Sequence, residues 1–155
     1  MSAPESAPES APESAPESAG QEPAAYELAR FPETLAIVRL GPGASIPAWA
    51  ESSSVFQITA TATETTVLCA ARNVPTKARS VRPLTAFQLG GERTVAESAA
   101  LVPDLLAPLA DEGIAGIPLT TYDALWVLVP GAEADAAEAA WRRRGHAVGA
   151  AVPAS

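Results

Sequence analysis

Residues 94–130 read TVAESAALVPDLLAPLADEGIAGIPLTTYDALWVLVP, and three elements are legible in them. Thr94-Val95-Ala96-Glu97 is a capping-box pattern: the Thr94 hydroxyl can accept from the Glu97 amide, and the Glu97 carboxylate can accept from the Thr94 amide. Apolar Val95, Ala99, Val102, Leu105 or Leu106, and Leu109 then recur at helical spacing. Gly113 is a natural left-handed stop. Pro103 and Pro108 each cost about 3 kcal/mol inside a helix, so a kink or break is expected near Pro103. Residues 114–121 and 124–129 read as two paired strands around a polar turn.

Working outward, residues 81–89 (VRPLTAFQL) predict a strand with Pro83 near its start, where a missing donor is tolerated. Residues 132–144 predict a helix with acids first (Glu133, Asp135, Glu138) and Arg142-Arg143-Arg144 last, the order that suits the helix dipole. Gly145 ends it, and residues 146–152 supply a final strand. Residues 81–152 therefore spell β-α-β-β-α-β, the split β-α-β arrangement of ferredoxin-like folds. The class is α+β, an antiparallel sheet covered by helices.

Upstream, residues 34–40 (TLAIVRL) predict a strand, and residues 46–50 one helical turn with Pro47 at its first position. Residues 55–61 alternate as a half-buried strand does. Thr63-Glu64 makes a turn, and residues 65–71 return. Residues 34–76 thus offer strands but only a stub of helix, so they are expected to pack on the second half. Residues 20–33 read as a linker with a short ordered patch at Tyr26, Leu28 and Phe31. Before it runs a repeat of Ser-Ala-Pro-Glu from Ser2. Proline at every fourth position blocks a helix, and no large apolar side chain offsets the ordering entropy. The chain is accordingly divided into a disordered acidic tail (1–25), a truncated N-terminal half (26–80) and a C-terminal domain (81–152).

The net charge of -8 is concentrated in that tail, where residues 1–25 hold five Glu and no Lys or Arg. The remainder carries 13 acids against 10 bases. Nucleic acid is an unsuitable partner, because phosphate binding needs a basic face. The lone Cys69, set in an apolar run, fits a buried inert thiol and a reducing compartment. There is no signal-peptide pattern and no apolar run of membrane-spanning length, so a cytoplasmic protein without a membrane partner is expected. No GxSxG, Walker, HExxH or CxxC motif occurs. With one His and one Cys, neither a triad nor a metal cluster can be assembled. No catalytic residue, metal or cofactor is assigned, and the expectation is a protein that is not an enzyme.

The chain resembles the ACT-domain superfamily, in the branch of small bacterial proteins similar to the CASTOR amino-acid sensors. The resemblance rests on residues spread from Ala36 to Val148: Arg39-Leu40, Ile46-Pro47 with Trp49, Phe56 to Thr61, Glu64 with Thr66 to Cys69, Val74-Pro75, Pro108-Leu109-Ala110, Gly113-Ile114, Thr120 to Asp123, Val127 to Val129 and Gly145 to Val148. The acidic and aromatic residues usual after the Tyr-Asp pair are replaced by Leu125 and Trp126. The resemblance implies a ferredoxin-like ACT-type module with an additional, truncated ACT-like half before it. It also implies a regulatory role, with an amino acid or similar ligand held between modules in a homodimer.

Two readings of the polar turn follow. As a ligand rim, Gly113 lets a ligand approach the backbone, and Ile114 offers an amide to a carboxylate. Thr120 and Thr121 then add hydroxyls, and Asp123 balances an ammonium group. Glu64 is a second carboxylate for the same role. As plain structure, every one of these residues is an ordinary turn or stop residue, Glu64 is a solvated acid, and His146 is a structural histidine at a strand entrance. The corresponding alternative function is an association module that binds no small ligand and pairs through its sheet edges.

Overall fold

The computed structural model describes residues 24–151. The tail reading and the last residue of the 146–152 strand fall outside the described residues. Among the described residues eight strands form one sheet: β1 (Glu27–Arg30), β2 (Leu35–Leu40), β3 (Gln57–Ala60), β4 (Thr65–Ala70), β5 (Ser80–Leu89), β6 (Ile117–Thr120), β7 (Leu125–Pro130) and β8 (Ala147–Ala150). Three α-helices accompany them: α1 (Ala48–Glu51), α2 (Val95–Asp111) and α3 (Ala134–Arg143).

The long strand β5 is used twice. Its first residues pair with β2, giving the order β3-β4-β2-β5. Its later residues pair with β1 on that same side and with β7 on the other, giving β6-β7-β5-β1-β8. The first half thus shows the order second-third-first-fourth of a ferredoxin-like α+β layer, and the second half repeats its first three places.

The fourth place of the second half is where the structure departs from expectation. It is occupied by β1, inside the segment read as a linker, and β8 is added outside it in parallel. Three residues explain the misreading. Tyr26, Leu28 and Arg30 share one strand face, but only Leu28 is an aliphatic core residue, 3% exposed. Arg30 closes the row by pairing with Asp135 at 2.8 Å and Glu138 at 3.1 Å on α3. The strand is held by long-range partners that no local pattern announces.

One face of the second half is roofed by α2 and α3. Phe87, Leu89, Val127 and Val129 meet Leu105, Leu109 and the narrow alanine face of α3. Trp141 anchors this layer: it is fully buried, its ring meets Phe87 edge-on at 4.8 Å, and its indole N–H donates to the Leu105 carbonyl at 2.9 Å. The two helices are also tied by Arg143 to Glu112 and Arg144 to Asp111, both at 2.7 Å.

Helix α2 begins at the expected capping box and runs unbroken through both prolines. Each proline leaves one carbonyl four residues earlier without its helical donor. Those residues, Ala99 and Asp104, are exposed, so water can take the place of the missing N–H. The strand after it is shorter than residues 114–121, because Ile114 folds into the core. Gly116 passes so close to α2 that a Cβ there would lie 2.7 Å from Leu106 and 2.9 Å from Leu109.

In the first half, α1 covers only Ala36, Val38, Val67 and Cys69. Strand β3 is exposed along its whole length rather than half-buried. A four-residue helix spans about 6 Å and cannot reach an outer strand. The opposite sheet face holds Leu35, Leu68, Leu84, Ala86, Trp126 and Leu128, buried although no helix covers it. The sheet curls there, and its two hairpins line a common cleft.

If β1 is integral, Leu28→Ala should lower the unfolding free energy by about 3 kcal/mol in urea melts. A linker residue would change it by no more than about 0.5 kcal/mol.

Candidate ligand site

Two polar elements meet at the N-terminal end of α2. The capping box is complete: the Thr94 amide donates to Glu97 Oε2 at 2.8 Å, and the Glu97 amide donates to Thr94 Oγ1 at 3.3 Å. These bonds, first from the Thr94 backbone and then from its side chain, hold the Glu97 carboxyl below its ordinary range. The first backbone bond of the helix runs from the Ser98 amide to the Thr94 carbonyl at 2.9 Å. Helix geometry therefore leaves the Val95 and Ala96 amides without intrahelical acceptors, at the positive end of the dipole. Arg93 stands beside them, its guanidinium over the Tyr26 ring at 5.9 Å and bonded to the Gly90 carbonyl.

The second element is the turn between β6 and β7. The Thr121 amide donates to the Ala124 carbonyl at 2.9 Å, and the Ala124 amide donates to Thr121 Oγ1 at 3.1 Å. Thr121 is thus committed to the turn itself. Tyr122 and Asp123 project from it, Tyr122 being 86% exposed. They face the start of α2 across an open cleft of about 790 Å³, whose other walls are Glu92, Arg93, Thr94, Val95 and Glu97. The cleft thus holds one cation, Arg93, beside the positive end of the helix dipole, and three acids, Glu92, Glu97 and Asp123, of which Glu97 is tied into the capping box.

The sequence-derived candidates lie in three places. Asp123 lines this cleft, and Thr120 and Thr121 sit at its turn. Gly113 and Ile114 are at the other end of α2, roughly 25 Å along a 17-residue helix. Their amides are used there: Gly113 donates to Ala110 at 3.0 Å and Ile114 to Leu109 at 2.9 Å. Glu64 belongs to the first half, where it accepts from Thr66 Oγ1 at 2.9 Å and pairs with Arg39 at 3.4 Å. Its turn repeats the Thr121 turn bond for bond, the Thr61 amide donating to Glu64 and the Glu64 amide to Thr61 Oγ1. Arg93 and the free amides of α2 were missed. The signal for them was present, since a basic residue directly before a capping box marks a doubly positive helix start.

His146 is 7% exposed and stacks on Tyr26 with ring centroids 5.2 Å apart. Its Nδ1 accepts from the Tyr26 amide at 3.2 Å, which fixes the ring as a neutral acceptor on the β1 side. Burial pushes its pKa below the usual imidazole value, against the pull of Asp104. Cys69 is buried and free, and burial raises its pKa, the opposite of what a nucleophile needs. Among the described residues no group of His, Cys, Asp and Glu is placed to hold a metal.

A family model for an N-terminal domain matches residues 33–77. No curated protein matches the chain. Among solved structures, a protein from Agrobacterium tumefaciens superposes with a TM-score of 0.75 at 22% identity, over 86% of this chain and 99% of its own. A Vibrio cholerae protein described as a possible transport protein superposes with a TM-score of 0.60 at 14% identity, over 77% of this chain and 90% of its own. The regulatory subunit of aspartate kinase from Thermus flavus superposes with a TM-score of 0.51 at 12% identity, over 76% of this chain and 96% of its own. At these identities the likeness is one of fold. Among the described residues no helix is long and apolar enough to cross a membrane.

The folded state disfavours protonated His146, so stability is complete above the unfolded-state pKa of about 6.5. It should fall as pH drops below that value, by at most about 1.4 kcal/mol per pH unit for one proton. Urea midpoints measured from pH 7.5 to 5 should show the decline in the native protein. The decline should be smaller in His146→Phe, which keeps a ring against Tyr26 but cannot titrate.

Proposed function

We propose that the chain is a non-catalytic regulatory module that binds a small ligand of amino-acid type in the cleft between the start of α2 and the turn after β6. One observation carries the reading: Arg93 and Val95, at the start of α2, line one cleft with Asp123, and Glu97 beside them is already bonded within the capping box. A ligand carboxylate is satisfied by Arg93 and the helix start and its ammonium by Asp123. Likeness of fold to the regulatory subunit of aspartate kinase supports the same class of role. The module acts as a homodimer in the cytoplasm, without a nucleic-acid or membrane partner.

A second reading has its own support. Strands β3, β6 and β8 each pair on one side only among the described residues, and unpaired edges invite strand addition. On that reading the chain is an association module that binds no small ligand.

A melting screen of the twenty amino acids separates the two. At a hundred times its dissociation constant, a true ligand adds about 2.7 kcal/mol of stability. Asp123→Asn should abolish the shift while moving the unliganded stability by less than about 0.5 kcal/mol. Flat melting curves together with a concentration-dependent dimer in light scattering would favour the association module.

A further inference from the structure

The helix-free face of the sheet carries a second cleft that shares no residue with the first. It lies where the curled sheet brings its two hairpins together. Its apolar lining is Ile37 and Leu68 from the first half and Ile117, Leu119 and Leu128 from the second, and Gln57 and Thr66 add polar groups at its edge. Its volume is about 140 Å³. That is close to the size of an enclosed apolar cavity that takes benzene, about 150 Å³, though this cleft is open on one side. The hydrocarbon tail that fits is therefore compact, of about four to six carbons.

One side of this cleft opens onto charge. Ile37 and Thr66 also line an adjoining hollow with Arg39, Glu64, Arg79 and Ser80. The register explains the adjacency. Ile37 pairs with Leu68, and Arg39 pairs with Thr66. Side chains two residues apart on a strand share a face and stand about 7 Å apart. The row Ile37-Leu68, with Gln57 at its outer end, is thus followed one step along the same face by the polar row Arg39-Thr66-Thr59. In that polar row Glu64 already accepts from Arg39 and Thr66. Arg79 makes no ion pair among the described residues, so the rim carries one cation in excess.

We infer that this face is a second small-molecule site, which takes a compact aliphatic carboxylate. The tail enters between the two hairpins and the head meets Arg79 and Arg39 at the rim. An α-amino group gains little here, because the only acid at the rim is already bonded twice. This separates the site from the zwitterion cleft at α2. Since β3 and β4 supply one wall and β6 and β7 the other, an occupant bridges the two halves of the chain.

The test is titration calorimetry on the full chain with 4-methylpentanoate, butanoate, acetate and 4-methylpentan-1-ol. The first should bind saturably, and each methylene removed should weaken binding about fourfold. The alcohol should bind about tenfold more weakly than the acid, and Arg79→Gln should weaken the acid by a similar factor. Thr59→Phe, on the exposed strand β3 and lining the cleft, should block binding and leave the circular dichroism spectrum unchanged. Asp123→Asn should leave it intact, so the amino-acid cleft stands or falls separately. Absence of saturable 4-methylpentanoate binding, equal binding of acetate or of the alcohol, or full binding by Thr59→Phe would overturn the assignment.

Discussion

Strand β5 is the constraint on which the rest of the architecture depends. It must satisfy the hydrogen bonds of two half-units at once, β2 and then β1 along one edge and β7 along the other. Ten residues of extended chain reach about 34 Å, enough to serve as the last strand of one layer and the first of the next. Its side chains alternate accordingly. Leu84 and Ala86 face the curled side, while Phe87 and Leu89 face the helices, where Phe87 meets Trp141. A half-unit that ended before β5 would lack its fourth strand, and one that began after it would lack its first. The halves therefore share a strand, and neither closes a core without it.

This sharing explains which parts of the fold were legible. Elements whose evidence is local were read correctly: the capping box at Thr94, the Gly113 stop, the turns at Thr63-Glu64 and Thr121-Asp123, and the acid-to-base order of α3. The helical pattern of α2 survived its prolines because the carbonyls they orphan face water. Strand β1 was missed for the complementary reason. Its burial comes from pairing with residues some sixty positions away in β5 and well over a hundred away in β8, and one leucine is too little to register as a pattern. The exposure of β3 depends likewise on the length of α1, a property of a neighbouring element.

The site residues follow the same division. Asp123 was visible because an acid in a turn is a local signature. Arg93 carried a local signal too, a basic residue directly before a capping box, but its pairing with Asp123 was not legible, because only the packing of the β5-to-α2 loop against the hairpin puts both on one cleft. Gly113 and Ile114 are neighbours in sequence to the hairpin but are separated from its turn by the length of α2. Proximity along the chain and proximity in space diverge wherever a long helix intervenes.

The two hairpins show how one local design serves two environments. Thr61 and Thr121 make the same turn bonds, and each turn is followed by a strand and a short 3-10 segment. In the second half α2 and α3 then cover one sheet face, and the start of α2 lends its amides and Arg93 to the hairpin. In the first half no long helix is present, so Glu64 faces Arg39 and Thr66 on the sheet itself. The acid at the first turn is neutralised by its own strands, while Asp123 at the second is left facing a helix N-terminus and open solvent. The difference in helical cover, rather than in the hairpins, is what leaves one turn closed on itself and the other open toward the start of a helix.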